Sequence, residues 1–316
     1  MSKTLKILSK PKGNAEEYGR WSVNPYIGCG HGCLYCYLKK GPSGAYLGQD
    51  KPVLKKGVAN EEHAYHLAMA EIIEHRDEII RDGGLFMTFT SDPCAEQTRN
   101  LSLSIAHDAS YQMHIPVMIL TKNATFLDID PNGLKLLGID KTKEWRRSIP
   151  FYHTGNGRLC FIDNPHFTTD ADPIAFGFTL TGHDELEPNA SPNTDRINAL
   201  QRLTERGFKT WASIEPVIDF KSSLTMIAKA VDVGCKHFKI GLLTENTRVC
   251  RKKFDVIECM VFIDDVLTFT NGKATVYWKQ SVRDLLGTVY TPAAVDEILD
   301  QPNAVGKDWN MFKKEG

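Results

Sequence analysis

The sequence predicts an α/β fold in which helices cover a mainly parallel β-sheet. Short apolar runs that favour strands alternate with stretches of helical periodicity along most of the 316 residues. The strand runs are nearly continuously apolar, which is typical of strands buried on both faces. Polar residues stand where these runs end, and in parallel α/β folds that edge of the sheet carries the functional site. The pattern therefore favours an enzyme.

The alternation can be followed element by element. A helical pattern at 64–84 is closed by two glycines and precedes a β-prone run at 85–90. A second helical pattern at 96–113 precedes a buried strand at 115–122. Later strands are predicted at 174–182, 208–216, 236–243 and 273–280, with helices at about 193–207, at about 222–233 and from about 247.

One segment, from about 125 to 172, breaks this rhythm. Part of it is typical of a β-hairpin that turns at "TGNG", residues 154–157. We interpret it as an insertion over the mouth of a barrel-type domain, and the alternative is a hairpin packed on the outside. No repeat, low-complexity tract or linker divides the chain, so we expect one domain over 1–290 and a C-terminal tail over 291–316.

Composition and charge exclude several classes of protein. No run of eighteen apolar residues occurs, so no membrane span is predicted. The first residues lack the apolar core and the cleavage site of a signal peptide, and we therefore expect a cytoplasmic protein. The net charge of −1 gives no general attraction to nucleic acid, but five lysines are concentrated between residues 39 and 56, which is enough for a local basic groove.

Three of the eight cysteines, Cys29, Cys33 and Cys36, lie within the eight residues "CGHGCLYC", and the other five are scattered. In a reducing cytosol this pattern favours a metal site over disulfides. A structural zinc ion needs four protein ligands, so His31 or Cys94 would have to complete the set. A [4Fe–4S] cluster held by three thiolates instead keeps one iron open for a small ligand. Three thiols by themselves therefore leave both a cluster and a zinc site open.

The Cys-x3-Cys-x2-Cys loop, with the aromatic Tyr35 directly before its third cysteine, resembles the signature of the radical S-adenosylmethionine (radical SAM) enzymes. The resemblance implies a [4Fe–4S] cluster on Cys29, Cys33 and Cys36, with S-adenosylmethionine chelated at the open iron. It implies one-electron cleavage of that cofactor to a 5′-deoxyadenosyl radical, with a donor such as flavodoxin or ferredoxin as partner. It also implies a partial (β/α)6 TIM-type barrel, in agreement with the alternation described above.

Between about residues 24 and 243 the chain further resembles the spore photoproduct lyase-like group. The motifs that carry this resemblance are "NPY-x-GC-x-H-x-C-x-YCY", "TFTSDP" (88–93), "VMILTK" (117–122), "DELEPNASPNTDRINALQRLTERGF" (184–208) and "IEPVIDF" (214–220). By that match Ser91 and Lys122 contact the cofactor, and Asp92 lies nearby. A serine hydroxyl suits the ribose or the amino group, and a lysine suits the methionyl carboxylate.

Three further cofactor contacts are predicted: Tyr35, Thr179 and Glu215. Each also has a plain structural interpretation, because Tyr35 can pack on the cysteine loop, Thr179 can be an ordinary β-branched strand residue, and Glu215 can pair with a basic neighbour.

The match departs from the group at Phe89. The lyase of this group carries a cysteine directly before its Thr-Ser-Asp, and the thiol of that cysteine quenches the product radical. Because Phe89 has no thiol, we name Cys94 as a substitute hydrogen donor, with a buried structural thiol as the alternative. Tyr37, beside the third cysteine, is a second catalytic candidate because a tyrosine can relay a hydrogen atom.

Two enzyme functions are predicted. In the first, the radical abstracts hydrogen from a thymine-derived base or nucleotide in DNA, either in a lesion or during hypermodification of thymidine, as in a phage-encoded enzyme that acts in the host cytoplasm. In the second, the substrate is a peptide or a small metabolite. The cysteine-free C-terminal tail speaks against the peptide-modifying enzymes that carry extra clusters there. A zinc-stabilised nucleic-acid-binding protein is the remaining alternative.

Overall fold

The computed structural model describes residues 7–128, 149–162, 174–243, 254–306 and 311–312. Its main feature is an eight-stranded sheet in which the strands lie in the order β1-β2-β5-β6-β9-β10-β11-β12. The pairs β2–β5, β5–β6, β10–β11 and β11–β12 are parallel, and β1 pairs antiparallel with β2. Strands that follow each other around the sheet in chain order are typical of a partial TIM-type barrel, and the predicted fold class is confirmed.

The strands of this sheet have the following bounds: β1 Leu8–Ser9, β2 Ser22–Val23, β5 Leu85–Met87, β6 Val117–Thr121, β9 Ile174–Thr179, β10 Lys209–Val217, β11 His237–Leu242 and β12 Thr275–Trp278. The short strands β3 Tyr26–Ile27 and β4 Val53–Leu54 form a separate antiparallel pair. The described helices are α1 Gly44–Leu47, α2 Glu61–Glu74, α3 Arg76–Arg81, α4 Arg99–His107, α5 Asn193–Glu205, α6 Phe220–Asp232, α7 Val256–Thr270, α8 Gln280–Leu286 and α9 Pro292–Leu299.

The predicted strands therefore lie where the apolar runs placed them, but two helices differ from prediction. The pattern at 64–84 forms two helices that meet at His75, whose ring lies 5.1 Å from the ring of Trp21. The pattern at 96–113 ends in a π-helical turn, Asp108–Gln112. The helix expected from about 247 is described from Val256, and its predicted start lies outside the described residues.

Contacts within the chain divide it into two compact units. Unit 1 comprises residues 1–30, 38–176 and 205–209, and unit 2 comprises 31–37, 177–204 and 210–316. Trp21, Phe86 and Phe126 are among the largest buried side chains of unit 1. In unit 2 the side chain of Trp211 lies against Gly177, where an added Cβ would stand 2.2 Å from the indole ring. Only glycine therefore fits at this position of β9, beside the neighbouring strand β10.

The predicted hairpin is confirmed within the described residues. Strands β7 Ile149–Tyr152 and β8 Leu159–Ile162 pair antiparallel on either side of the turn at 154–157. Backbone groups of β7 and the turn bond to α4: Arg99 donates to the Pro150 carbonyl, and the Ser104 hydroxyl accepts from Thr154. These contacts join the hairpin to a helix of unit 1, and residues 129–148 and 163–173 of the predicted insertion lie outside the described residues. Within the described residues, no helix combines the length and apolar character needed to cross a bilayer.

Candidate functional site

The loop that carries the cysteines begins with a tight backbone contact in unit 1. Gly28 has a φ of +84°, and a Cβ there would lie 2.5 Å from the Lys51 carbonyl oxygen. The next residue, Cys29, donates its backbone N–H to the Gln49 carbonyl at 3.0 Å. Glycine is needed at 28 for both its conformation and its lack of a side chain. The first cysteine is therefore held by the segment that leads into β4.

The rest of the loop is fixed within unit 2. Cys33 and Tyr35 are buried in a small apolar cluster with Ile218. The Leu34 N–H donates to the Leu186 carbonyl at 2.9 Å. His31 is bound through its backbone carbonyl and its ring to the backbone of Asn189. The thiols of Cys29, Cys33 and Cys36 are all free of disulfides.

Beneath this loop lies a buried network of charged groups. The Tyr35 hydroxyl donates to one carboxylate oxygen of Glu187, and Arg196 donates to the other at 2.6 Å. Both charged side chains are completely buried. Arg196 also donates to the carbonyls of Thr179 and Ser191, at 2.8 and 2.6 Å. Tyr35 is thus connected through an ion pair to the C-terminal end of β9, and all these groups lie in unit 2.

Sequence reasoning missed Glu187 and Arg196 as members of the site. Both occur in the stretch "DELEPNASPNTDR", residues 184–196, whose resemblance to the lyase-like group assigns no role to its charged residues. The available signal was Arg196 itself, because it stands on the same helical face as the buried Ile197 and Leu200 region of α5. A charged side chain on an apolar face needs a buried partner.

In unit 1, Asp92 organises the ends of two neighbouring strands. Its carboxylate accepts hydrogen bonds from the Thr121 hydroxyl at 2.7 Å, the Lys122 N–H at 2.8 Å and the Cys94 N–H at 2.8 Å. Asp92 is 6% exposed, so these bonds are largely shielded from water. The predicted residues Asp92, Cys94 and Lys122 are therefore brought together, and Asp92 acts as the group that positions the other two.

Ser91 lies next to this junction and has an unusual hydroxyl. The Ser91 oxygen Oγ is buried, and no hydrogen-bond partner for it exists within the described part of the chain. Its backbone is fixed, because the Thr88 hydroxyl accepts from the Ser91 N–H and donates to the Ser91 carbonyl. Leaving a buried polar group unpaired costs about 1–3 kcal/mol. A fixed, buried hydroxyl that lacks a hydrogen-bond partner among the described residues fits the predicted contact with a polar ligand.

The Cys94 thiol is fully buried. Burial raises its pKa well above the ordinary value, and the neighbouring Asp92 carboxylate raises it further. The thiol therefore stays protonated, the state that a hydrogen-atom donor requires and a nucleophile does not. The Phe89 ring stacks on Phe86, with the ring centroids 4.4 Å apart, and meets Tyr18 edge-on at 6.3 Å.

The two remaining strand-end candidates lie in unit 2. Thr179 is the last residue of β9, is 5% exposed, and uses its carbonyl to hold Arg196. Glu215 on β10 accepts a hydrogen bond from Lys279, whose Nζ lies 2.5 Å away. Gly241 of the intervening strand makes room for this pair, since a Cβ there would lie 3.0 Å from both side chains. Glu215 thus has the basic partner that its structural interpretation predicts. Tyr37 is 60% exposed.

In the part of the chain that the structure describes, no group of three or more His, Cys, Asp or Glu side chains converges on a point suited to one metal ion. The chemistry of the donor set, three cysteine thiols without disulfides in one short loop, fits a [4Fe–4S] cluster, which thiolates hold.

Comparison with known proteins gives matches at the level of structure. No protein-family model matches the sequence, and no curated protein sequence matches it either. A mutant of spore photoproduct lyase matches at a TM-score of 0.55 and 15% identity, covering 88% of this chain and 80% of that one. A double mutant of that lyase with bound AdoMet and dinucleoside spore photoproduct gives 0.55 and 16%, covering 87% and 79%.

Streptococcus suis SuiB bound to S-adenosylmethionine matches at a TM-score of 0.50 and 12% identity, over 85% of this chain and 52% of SuiB. At such identities a likeness establishes the fold alone. The resemblance predicted from the cysteine loop and the strand-end motifs is thus confirmed for the fold: this chain has the fold of spore photoproduct lyase.

Proposed function

We propose that this protein is a radical SAM enzyme that acts on a thymine-derived base in DNA. The observation that carries the proposal is the complete Cys-x3-Cys-x2-Cys loop within a fold shared with spore photoproduct lyase. In this proposal Cys29, Cys33 and Cys36 hold a [4Fe–4S] cluster. When bound, the cluster would supply the one electron that breaks the C5′–S bond of S-adenosylmethionine, which would release methionine and the 5′-deoxyadenosyl radical that abstracts hydrogen from the substrate.

The chain's own residues supply position and polarity around this chemistry. Tyr35 is fixed by Glu187 and keeps the third cysteine's neighbourhood rigid. The Ser91 hydroxyl gains a partner when a polar cofactor group reaches it, and Lys122 places a cation near the end of β6 for a carboxylate. Thr179 and Glu215 are further proposed cofactor contacts.

The choice of a DNA base as substrate is supported by the structural match to spore photoproduct lyase. The related lyase is described with a dinucleoside spore photoproduct. Phe89, which fills the place of that lyase's thiol with an aromatic stack, favours hypermodification of a thymidine over dimer repair. In either case Cys94 is the proposed hydrogen donor and Tyr37 a candidate relay. A base in duplex DNA must be flipped or single-stranded to reach such a site.

The proposed chemistry also requires a redox partner and a suitable cellular compartment. A one-electron donor such as flavodoxin or ferredoxin is required by the chemistry, and iron–sulfur enzymes of this kind act in a reducing compartment. We therefore place the enzyme in the cytoplasm, which for a phage-encoded protein is that of the host.

The test is to follow the hydrogen that the radical removes. The reconstituted enzyme is incubated with deuterium-labelled DNA containing thymine-derived bases, with labelled peptides and with labelled metabolites, and 5′-deoxyadenosine is analysed by mass spectrometry. Deuterium that arrives from the DNA base is the expected result. Deuterium that arrives only from peptides or metabolites would assign the second function, and a preparation with one zinc and no iron would exclude both.

A further inference from the structure

The segment from Leu38 to Lys56, named here the basic segment, differs in charge from the rest of the protein. It carries five lysines, no arginine and one acidic residue, Asp50, in a chain whose net charge is −1. Lys39, Lys51 and Lys56 are exposed. Asp50 is 84% exposed at its side chain and pairs with Lys39 at 2.6 Å, so it offsets part of this charge. The local excess of positive charge would attract an anionic partner.

The basic segment also exposes apolar side chains. Tyr46 on α1 is 49% exposed and Val53 on β4 is 45% exposed. Exposed aromatic rings among lysines are typical of surfaces that bind single-stranded nucleic acid, because bases stack on the rings while the cations meet the phosphates. Protein–protein interfaces favour arginine and are depleted in lysine. The composition of this surface therefore favours nucleic acid over a protein partner.

The basic segment lies directly against the loop of the first cysteine. The Gln49 carbonyl accepts the N–H of Cys29 at 3.0 Å, and the Lys51 carbonyl is the group that excludes a side chain at Gly28. All of these residues belong to unit 1. A strand bound along the basic segment would therefore pass close to the proposed cluster loop.

From these three observations we propose that the basic segment binds a single DNA strand, with Tyr46 stacking on a base and Lys51 and Lys56 contacting phosphates. This inference rests on the proposed function for its biological meaning, because it deepens the assignment of DNA as substrate. The binding itself requires neither the cluster nor S-adenosylmethionine, and it can be measured separately from the radical chemistry.

The experiment measures fluorescence anisotropy of a labelled 20-nucleotide single strand and of a matched hairpin duplex over a range of salt concentrations. The wild-type protein is expected to bind the single strand more tightly, since a stacked ring needs an unpaired base. Lys51→Glu/Lys56→Glu should weaken binding about tenfold or more and reduce the salt slope by about 1.4, which is about 0.7 for each lost phosphate contact. Tyr46→Ala should weaken binding roughly tenfold.

Two variants sharpen the test. Lys236→Glu/Lys273→Glu makes the same change in net charge at two exposed lysines outside the basic segment, and it should bind DNA like the wild type. Asp50→Asn removes the one acidic group of the basic segment and its ion pair with Lys39, so it should tighten binding and steepen the salt slope.

Three results would overturn the inference. One is that the two double-lysine variants weaken DNA binding equally, because the effect would then follow from the net charge of the protein and not from the basic segment. Another is unchanged DNA affinity in Lys51→Glu/Lys56→Glu together with slower reduction of the cluster by an acidic electron carrier, which would assign the surface to that carrier. The third is no binding of any single strand at low salt. If the wild type binds DNA as expected but forms no 5′-deoxyadenosine, the proposed function fails while this inference stands.

Discussion

The buried pair of Glu187 and Arg196 gives a prediction that can be worked out from the structure. In Glu187→Gln the guanidinium of Arg196 stays fully buried but loses its counter-charge, while the shape of the site is nearly kept. Removing one partner of a buried ion pair typically costs about 3–5 kcal/mol. We expect a loss of this size in the free energy of unfolding, measured by urea denaturation of the cluster-free protein.

The Glu187→Gln variant can be compared with a matched control and placed in a double-mutant cycle. Asp296→Asn breaks the pair with Arg283, which has the same 2.6 Å separation but is exposed, and it should cost no more than about 1 kcal/mol. Glu187→Gln/Arg196→Met should lose less than the sum of the two single variants, because no unpaired charge remains. A loss below about 1 kcal/mol in Glu187→Gln would refute the buried connection between β9 and Tyr35.

Three further predictions follow from single sites. Gly177→Ala should destabilise unit 2 by about 1–3 kcal/mol in urea unfolding, since the new methyl group would overlap the Trp211 ring, and an unchanged midpoint would contradict that packing. Burial raises the pKa of Asp108, but hydrogen bonds from its neighbours lower it more, to about 2. The ionised Asp108 carboxylate should therefore add about 2 kcal/mol to the free energy of unfolding above pH 4, and this contribution should be lost as the pH falls toward 2. The free energy of unfolding of Asp108→Asn should accordingly differ from that of the wild type at pH 7 and differ much less at pH 2. Burial lowers the pKa of His183, but the carboxylates of Glu185 and Asp219 raise it more. The contribution of protonated His183 to the free energy of unfolding should therefore be complete below pH 6 and be lost as the pH rises through the folded-state pKa. NMR titration should place the midpoint of His183 above 6.5.

Most of the sheet could be predicted from the sequence because parallel strands that are buried on both faces consist of nearly continuous apolar residues. The run at 174–182 corresponds to Ile174–Thr179, and the run at 236–243 to His237–Leu242. The helix at 64–84 was predicted as one element because no glycine or proline interrupts it before Gly83. Its division at His75 accompanies the contact of that ring with Trp21, which local sequence cannot reveal.

The candidate site was predicted in part. The cysteine loop and the strand-end residues Ser91, Asp92 and Lys122 carry signals in their spacing and their place in the chain. The role of Asp92 as a hub for Thr121 and Cys94 was not visible, because it depends on which backbone N–H groups the fold brings within reach. For the same reason the pairing of Glu215 with Lys279, which stands 64 residues later, could only be suggested as an ion pair with a basic neighbour.

The central claim is that three thiols in one loop hold a cluster that activates S-adenosylmethionine. Its most direct test is anaerobic reconstitution followed by measurement of iron and of 5′-deoxyadenosine, with Cys33→Ala compared with Cys235→Ala, a change at a buried thiol elsewhere in unit 2. We predict about four irons per chain and formation of 5′-deoxyadenosine in the wild type and in Cys235→Ala, and neither in Cys33→Ala. Retention of both iron and 5′-deoxyadenosine in Cys33→Ala would contradict the claim.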